Sequence, residues 1–261
     1  MPVLPRAAFV ASSAGASTIL ARTALGHPPG WLELGTLFGW FALSTTGVFF
    51  PSLEMYGSIV SRGPQGRGQV ALTFDDGPHP ETTRAVLEAL SGTAHRATFF
   101  VLGDKARRHP DVVREIHEAG HSLGVHGDFH DRLHSFRHPT RVRRELEAAR
   151  ASVERATGVR PRIFRPPLGH TTPLTVFGAR RAGMTIVGWS ARAYDGLRGS
   201  RPEDVLARLR PGLTDGAIVL LHDAAERDDF TPASIPVLPT LLHWLDERGL
   251  TSVGLDTWFG E

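Results

Sequence analysis

From Gln69 onward, short runs of β-branched and apolar residues alternate with longer segments whose apolar residues recur every three or four positions. The short runs predict strands over 69–75, 97–102, 121–126, 162–166, 184–190, 217–222 and 251–255. The longer segments predict helices over 80–91, 109–119, 140–157, 172–182, 202–210 and 234–248. Seven strands alternating with six helices predict an α/β fold with a parallel sheet, either open or closed into a barrel.

The first sixty residues differ from the rest of the chain. Residues 7–21 are small and apolar, and residues 31–50 carry a single charge, Glu33, near their start. A helix over 31–50 would be about 30 Å long, which is the thickness of a bilayer core. This stretch therefore predicts a membrane anchor, with a shorter helix over 7–21 before it. A cleaved export signal followed by a buried helix is the alternative.

These patterns divide the chain into three parts. Residues 1–60 are the hydrophobic N-terminal anchor region, and 61–68, rich in glycine and interrupted by a proline, are a flexible linker. Residues 69–261 are the α/β domain.

Composition limits the possible metal ligands, cross-links and partners of the chain. The chain has no cysteine, which excludes disulfides and thiolate metal ligands. The formal net charge is only +2, and no basic run is interleaved with aromatic residues, so we expect no nucleic-acid partner.

Two adjacent carboxylates, Asp75 and Asp76, end the first strand of this domain. Such a pair is costly to bury unless it binds a metal or handles protons, because the charges repel and both are desolvated. His126 and His130 follow later in the chain, four positions apart, so both side chains can project to one side of a turn. One carboxylate and two imidazoles are a ligand set for a divalent ion with open coordination positions. Two unrelated surface histidines among the thirteen of the chain are the alternative.

Further polar residues lie at the carboxyl ends of predicted strands, which is the edge where (β/α) barrels assemble their sites. Arg165 follows the fourth strand, and an arginine beside a carboxylate keeps that carboxylate ionised and directed. His222 ends the sixth strand, with Asp195 and Asp223 as candidate partners. An ordinary loop arginine, a hydrogen-bonded core histidine and turn aspartates are the alternatives.

Five motifs resemble those of the NodB-type polysaccharide deacetylases, also called carbohydrate esterase family 4. They are 73–78 (TFDDGP), 126–130 (HGDFH), 165–169 (RPPLG), 189–196 (WSARAYDG) and 221–222 (LH). The resemblance covers about residues 69–255 and implies an irregular (β/α) barrel of about seven strands. It also implies a divalent metal, zinc in the first place and cobalt, nickel or manganese as alternatives, and hydrolysis of N-acetyl groups on amino sugars.

The resemblance implies roles for residues in a metal site and in proton transfer. The metal ligands are Asp76, His126 and His130. The catalytic residues are Asp75 as general base, Arg165 as its partner, His222 as general acid and Asp195 as the partner of that histidine.

Three positions depart from the family pattern. Gly127 stands where the second motif usually has serine or threonine. In the fourth motif, Arg192 replaces an aspartate, and Gly196 replaces a tryptophan that lines the sugar groove. These departures leave the groove shape and the substrate preference open.

The expected activity is that of a hydrolase of linear carbon–nitrogen amide bonds, acting on the N-acetyl groups of a cell-wall or surface polysaccharide. The anchor predicts a place in a bacterial-type cell envelope, with the catalytic domain outside the cytoplasm. A deacetylase or deformylase of a lipid-linked amino sugar is one alternative, and a non-catalytic glycan-binding barrel is another. The sequence does not indicate an oligomeric state.

Overall fold

The centre of the fold is a sheet of nine strands that pair in parallel, in a computed structural model that describes residues 3–259. The strands are Ile59–Val60 (β1), Gln69–Asp75 (β2), Ala97–Val101 (β3), Ser122–Val125 (β4), Ile163–Phe164 (β5), Thr185–Val187 (β6), Ala191–Arg192 (β7), Ile218–His222 (β8) and Thr251–Ser252 (β9). Their order is β1-β6-β5-β4-β3-β2-β8-β7, and β9 pairs with β2. Within the described residues β1 and β7 each pair with one neighbour only, so the barrel is open between them.

Ten α-helices accompany these strands in the described part of the chain. They are Val3–Ala24 (α1), Trp31–Phe49 (α2), Thr82–Leu90 (α3), Gly103–Arg108 (α4), Pro110–Glu118 (α5), Pro139–Thr157 (α6), Pro173–Arg181 (α7), Pro202–Leu209 (α8), Ser234–Glu247 (α9) and Asp256–Phe259 (α10). α6 begins at the capping residue His138 and ends at Gly158, whose left-handed backbone stops the helix.

The predicted parallel α/β architecture is confirmed, and each of the seven predicted strands is present, most of them shorter than expected. β1, β7, α4 and α10 were not predicted. β1 and β7 have two residues each and α10 has four, which is too short for a hydrophobic period to show. α4 contains one aspartate and three basic residues among its six, so it has no apolar stripe to recognise.

Alternation along the strands assigns side chains to two faces. Val70, Leu72 and Phe74 of β2 join the large apolar cluster that includes the helices. The alternate position Ala71 joins a separate cluster inside the barrel, with Phe100, Ile163, Val187, Ile218 and Leu255. Because side chains alternate, Asp75 lies on the same inner face as Ala71. Asp75 is also paired in register with His222 of β8, so the two residues share one rim of the barrel.

The N-terminal region forms a hairpin of α1 and α2 that packs on itself and on the segment before β1. Trp40 donates a 3.0 Å hydrogen bond from its indole to Ser13, and the rings of Phe9 and Tyr56 meet edge to face. Among residues 3–259, neither these helices nor any other combines the length and the apolar character needed to cross a bilayer. The predicted membrane anchor over 31–50 is therefore not supported. The physical reason is that α2 contains Glu33 and several glycine, serine and threonine residues, which lower its mean hydropathy.

The segment between the hairpin and β2 is held against the barrel. Ile59 and Val60 pair with Ile186 and Val187 at the edge of the sheet. Further on, the carboxylate of Asp215 accepts hydrogen bonds from the backbone N–H groups of 66, 67 and 69. The boundaries at 60 and 68 stay predictions.

Candidate active site

The two adjacent aspartates point in different directions because the backbone turns sharply between them. Asp75 is the last residue of β2 and faces the barrel interior. Asp76 has a φ of 73°, in the left-handed region that non-glycine residues rarely occupy. Strained backbone of this kind collects at functional sites, where the surrounding structure holds it in place.

Asp76, His126 and His130 converge on one point. Their donor atoms all lie within 4.8 Å of one another. Nε2 of His126 is 3.4 Å from Oδ1 of Asp76, and Nε2 of His130 is 3.6 Å from the same oxygen. Both distances exceed those of ordinary hydrogen bonds, and Oδ1 of Asp76 is buried without a hydrogen-bond partner among the described residues. A buried carboxylate oxygen without a hydrogen-bond partner is expected to bind a group other than a protein donor, such as a metal ion.

These residues fit a divalent metal. Zinc bonds of 2.0–2.1 Å in a tetrahedron place neighbouring donor atoms about 3.3 Å apart, close to the two separations above. Burial keeps the pKa of His126 well below its ordinary value, so its imidazole is neutral, which is the form that coordinates metals. Nδ1 of His130 lies 3.5 Å from Oε1 of Glu226, and a carboxylate behind a ligand histidine commonly orients the ring.

Arg165 is fully buried beside Asp75. Its guanidinium donates from Nη1 to Oδ1 of Asp75 at 2.8 Å and to the Thr73 hydroxyl at 2.7 Å, and from Nη2 to the carbonyl of Gly188 at 2.9 Å. Burial raises the pKa of Asp75, the charge of Arg165 opposes that rise, and the result is a pKa of about 6. The Asp75 carboxylate is therefore ionised near neutral pH and fixed in direction.

His222 stands opposite, at the end of β8, with Asp195 behind it. Nδ1 of His222 lies 3.2 Å from Oδ1 of Asp195, and the backbone N–H of His222 donates to Oδ2 of the same carboxylate at 2.7 Å. Burial alone lowers the pKa of His222, but the buried Asp195 and the charges of Asp76 and Asp75 outweigh it and raise the pKa to about 10. The ring is held as an imidazolium whose other nitrogen, Nε2, is not engaged by Asp195.

Five of these side chains border one open cavity of about 520 Å³, and Arg165 and Asp195 lie buried behind them. Its inner wall contains Asp75, Asp76, His126, His130 and His222. Its outer wall includes Leu168, Trp189, Arg192, Tyr194, Glu226, Arg227 and Phe230. Leu168 and Tyr194 also have positive φ angles, 59° and 60°, and both present exposed side chains at the mouth.

Two of the three departures from the family pattern have local explanations. Gly127 has a φ of 103°, which favours glycine, and a Cβ there would lie 3.2 Å from the carbonyl oxygen of Phe129. At Gly196 a Cβ would lie 2.6 Å from ring atoms of His222, so any side chain would displace that ring. Arg192 is exposed and lines the outer wall of the cavity.

The residues expected at the site are brought together, with the exception of one candidate partner. Asp223 does not pair with His222; it accepts a hydrogen bond from Thr83 in the layer behind the site. The sequence did not indicate Glu226, because it lies in the loop after β8 and outside every motif. Tyr194 stands within the fourth motif, but nothing in that pattern marks an exposed aromatic wall.

Comparisons with known proteins agree with this geometry. A family model described as polysaccharide deacetylase matches residues 62–187. A chitooligosaccharide deacetylase from Sinorhizobium fredii is 33% identical over 207 residues, covering 74% of this chain and 93% of the relative. The peptidoglycan-N-acetylglucosamine deacetylase PgdA of Listeria monocytogenes is 34% identical over 193 residues, and the match spans 74% of this chain but only 39% of that relative.

Solved structures of the same family share the fold. The peptidoglycan N-acetylglucosamine deacetylase Bc1960 superimposes with a TM-score of 0.72 at 27% identity, covering 80% of this chain and 96% of that one. A pseudoenzyme of the family from Bacillus anthracis gives a TM-score of 0.70 at 25% identity, covering 80% and 72%. Together with the motifs and their convergence at one cavity, these matches show that the chain belongs to the NodB-type polysaccharide deacetylases of carbohydrate esterase family 4.

Proposed function

We propose that this protein hydrolyses the N-acetyl group of an amino sugar in a cell-wall or surface polysaccharide, with a divalent metal held by Asp76, His126 and His130. The observation that carries the proposal is the presence, at one cavity, of a metal-type ligand group between a buried carboxylate and a paired histidine. The relatives named as peptidoglycan and chitooligosaccharide deacetylases support the substrate class. A polymer of that kind would place the protein in the cell envelope.

The three metal ligands would hold the ion that makes the amide carbonyl more electrophilic. When bound, a divalent ion such as zinc polarises an amide carbonyl and lowers the pKa of water. Zinc suits one carboxylate and two neutral imidazoles, and cobalt, nickel and manganese accept the same donors. Glu226 would keep His130 in its coordinating orientation from behind.

Asp75 acts as the general base through one particular oxygen. Oδ1 is engaged by Arg165, whereas Oδ2 lies on the side of the metal ligands, 3.8 Å from Nδ1 of His126. Oδ2 therefore takes the proton from the attacking water. The oxyanion that forms on the acetyl carbonyl needs a hydrogen-bond donor, and we expect a backbone N–H of residues 75–80 to provide it.

His222 completes the reaction as the general acid. With Asp195 on Nδ1, the proton on Nε2 is the one available to the leaving nitrogen. The carbon–nitrogen bond then breaks, water contributes the new oxygen of acetate, and the sugar leaves as a free amine. At this point Asp75 holds a proton taken from the water, and His222 has donated its proton to the leaving nitrogen. The enzyme returns to its starting state when Asp75 loses that proton and His222 gains one, either directly or through solvent.

The decisive experiment measures acetate and formate released from N-acetylated and N-formylated glycans by the purified full chain. We expect acetate from chitooligosaccharides or peptidoglycan, loss of release on removing metal with a chelator, and recovery on adding Zn²⁺ or Co²⁺. Turnover that ignores the chelator would exclude the metal role. In cells, Asp76→Ala should abolish function; an unchanged phenotype would favour the non-catalytic glycan-binding barrel, and a pseudoenzyme of the family is known from Bacillus anthracis.

One observation favours a second substrate, a lipid-linked amino sugar that would be deacetylated or deformylated at the same site. A cavity of about 230 Å³ adjoins the active-site cavity and shares Gly169, Trp189 and Arg192 with it. Its lining includes the aromatic side chains of Phe49 and Phe50 at the end of α2, which an acyl chain could contact. Release of formate in place of acetate, or turnover of lipid-linked substrates alone, would select this alternative.

A further inference from the structure

The mouth of the active-site cavity is lined by four arginines: Arg132, Arg192, Arg198 and Arg227. Two of them are neutralised, because Arg132 pairs with Glu226 at 2.8 Å and Arg198 pairs with Asp229. Within residues 3–259, Arg192 and Arg227 take part in no ion pair. The mouth therefore carries uncompensated positive charge that the hydrolysis of a neutral acetamide does not require.

Arg192 is the better placed of the two unpaired arginines. It lies on β7, in register with Leu220 of β8. Leu220 precedes His222 by two positions, so Arg192 lies on the strand next to that histidine. Its guanidinium lies over the ring of Tyr194, 4.5 Å from the centroid, and 5.9 Å from the Trp189 ring. Stacking of this kind holds the guanidinium plane while its N–H groups remain free at the edge.

The location of Arg192 indicates which part of the substrate it would contact. It borders both the active-site cavity and the adjoining cavity, so it stands at their junction. A group bound there would belong to the reacting sugar or to the unit next to it. A planar guanidinium with free N–H groups binds carboxylate or phosphate with two parallel hydrogen bonds.

We propose that the natural substrate carries an anionic group, a carboxylate or a phosphate, beside the reacting N-acetylated sugar, and that Arg192 binds it. This proposal rests on the proposed deacetylation and specifies its substrate class. Arg192 would thus determine specificity without touching the reacting atoms. The position that departs from the family pattern would be the one that distinguishes charged from neutral glycans.

Measurements of binding to an inactive variant test this proposal independently of turnover. The Asp75→Asn variant, loaded with Zn²⁺, would be titrated by calorimetry with three glycans of equal length: a neutral chitooligosaccharide, one bearing a carboxylate, and one bearing a phosphate. We expect at least one anionic glycan to bind about tenfold more tightly than the neutral one. Whichever anion binds more tightly identifies the source of the charge.

Adding Arg192→Gln to that protein should weaken the binding of the anionic glycan about tenfold and so remove the preference. The control is Arg201→Gln, an exposed arginine outside the cavity, which should keep the preference. Equal affinity for all three glycans, or an equal loss for neutral and charged glycans in Arg192→Gln, would overturn the proposal. Failure of the deacetylase proposal would show separately, as absence of acetate release by the wild-type protein.

Discussion

Arg165 and Asp75 form an ion pair at the base of the active site, with Nη1 of the arginine 2.8 Å from Oδ1 of the aspartate and both side chains buried. The same nitrogen donates to Thr73, and Nη2 donates to the carbonyl of Gly188. This one guanidinium therefore ties β2 to the segment after β6, and it leaves Oδ2 of Asp75 as the oxygen that we propose takes up the proton.

Replacing Arg165 by methionine should strongly destabilise the protein. The change keeps much of the side-chain volume but leaves the Asp75 carboxylate buried without its positive partner. Breaking a buried pair in this way costs about 3–5 kcal/mol. Urea denaturation at neutral pH measures the free energy of unfolding. The control Arg160→Met, which breaks the exposed pair with Glu154, should cost less than about 1 kcal/mol. A loss of similar size in both variants would contradict the prediction.

Asp75→Asn should separate metal binding from catalysis. The amide keeps the shape of the side chain and removes the base, so kcat should fall about 100- to 10,000-fold. The metal content of the purified variant, measured by elemental analysis, should equal that of the wild-type protein, because Asp75 is not among the three proposed ligands. Asp111→Asn, at an exposed aspartate that pairs with Arg84, serves as the matched control. A rate near that of the wild-type protein would remove Asp75 from the role of base.

Asp195→Asn should change the protonation of His222 without altering substrate binding. Asparagine can still accept from the backbone N–H of His222, but the negative charge that stabilises the imidazolium is lost. The pKa of His222 should therefore fall, which NMR titration of the ring would record. The fall in kcat should be about tenfold or more with little change in KM, because a positioning residue does not contact the substrate. An unchanged pKa would show that Asp195 does not set the protonation of His222.

His121 should make stability depend on pH. It is 5% exposed and accepts a hydrogen bond at Nδ1 from the backbone N–H of Ala97. Burial, with a smaller contribution from Arg96, lowers its pKa from 6.5 to about 4. The native state therefore holds His121 neutral, and the unfolded state takes up its proton first. The stability that this neutral ring supports is complete above the unfolded pKa and is lost as the pH falls toward 4, by up to about 3 kcal/mol.

The test compares His121→Asn with the wild-type protein between pH 7 and pH 4. Asparagine keeps an acceptor near the position of Nδ1 but does not titrate, so the fall in unfolding free energy should be shallower in the variant. His243→Asn, at a histidine whose side chain is 68% exposed, should leave the slope unchanged. Parallel curves for His121→Asn and the wild-type protein would refute the assignment.

Much of the fold could be predicted because it depends on local patterns. β2 is buried along nearly its whole length and was predicted with its observed bounds, since a continuous apolar run before two aspartates has clear limits. β1 and β7 were missed because two-residue strands exist only through the partners they meet in the sheet. The anchor prediction gave more weight to length and low charge than to the glycine and hydroxyl residues of α2, and no described helix has the length and apolar character to cross a bilayer.

The sequence alone determined which residues are available for chemistry and which face of each strand they occupy, because alternation and motif order are properties of neighbouring positions. It could not determine distances between strands. The 3.4 Å approach of His126 to Asp76, the 3.2 Å approach of His222 to Asp195 and the 2.8 Å ion pair of Arg165 with Asp75 were decided by the tertiary structure. Such contacts join segments that are remote in the chain, and their geometry follows from sheet register and packing, which involve every element at once.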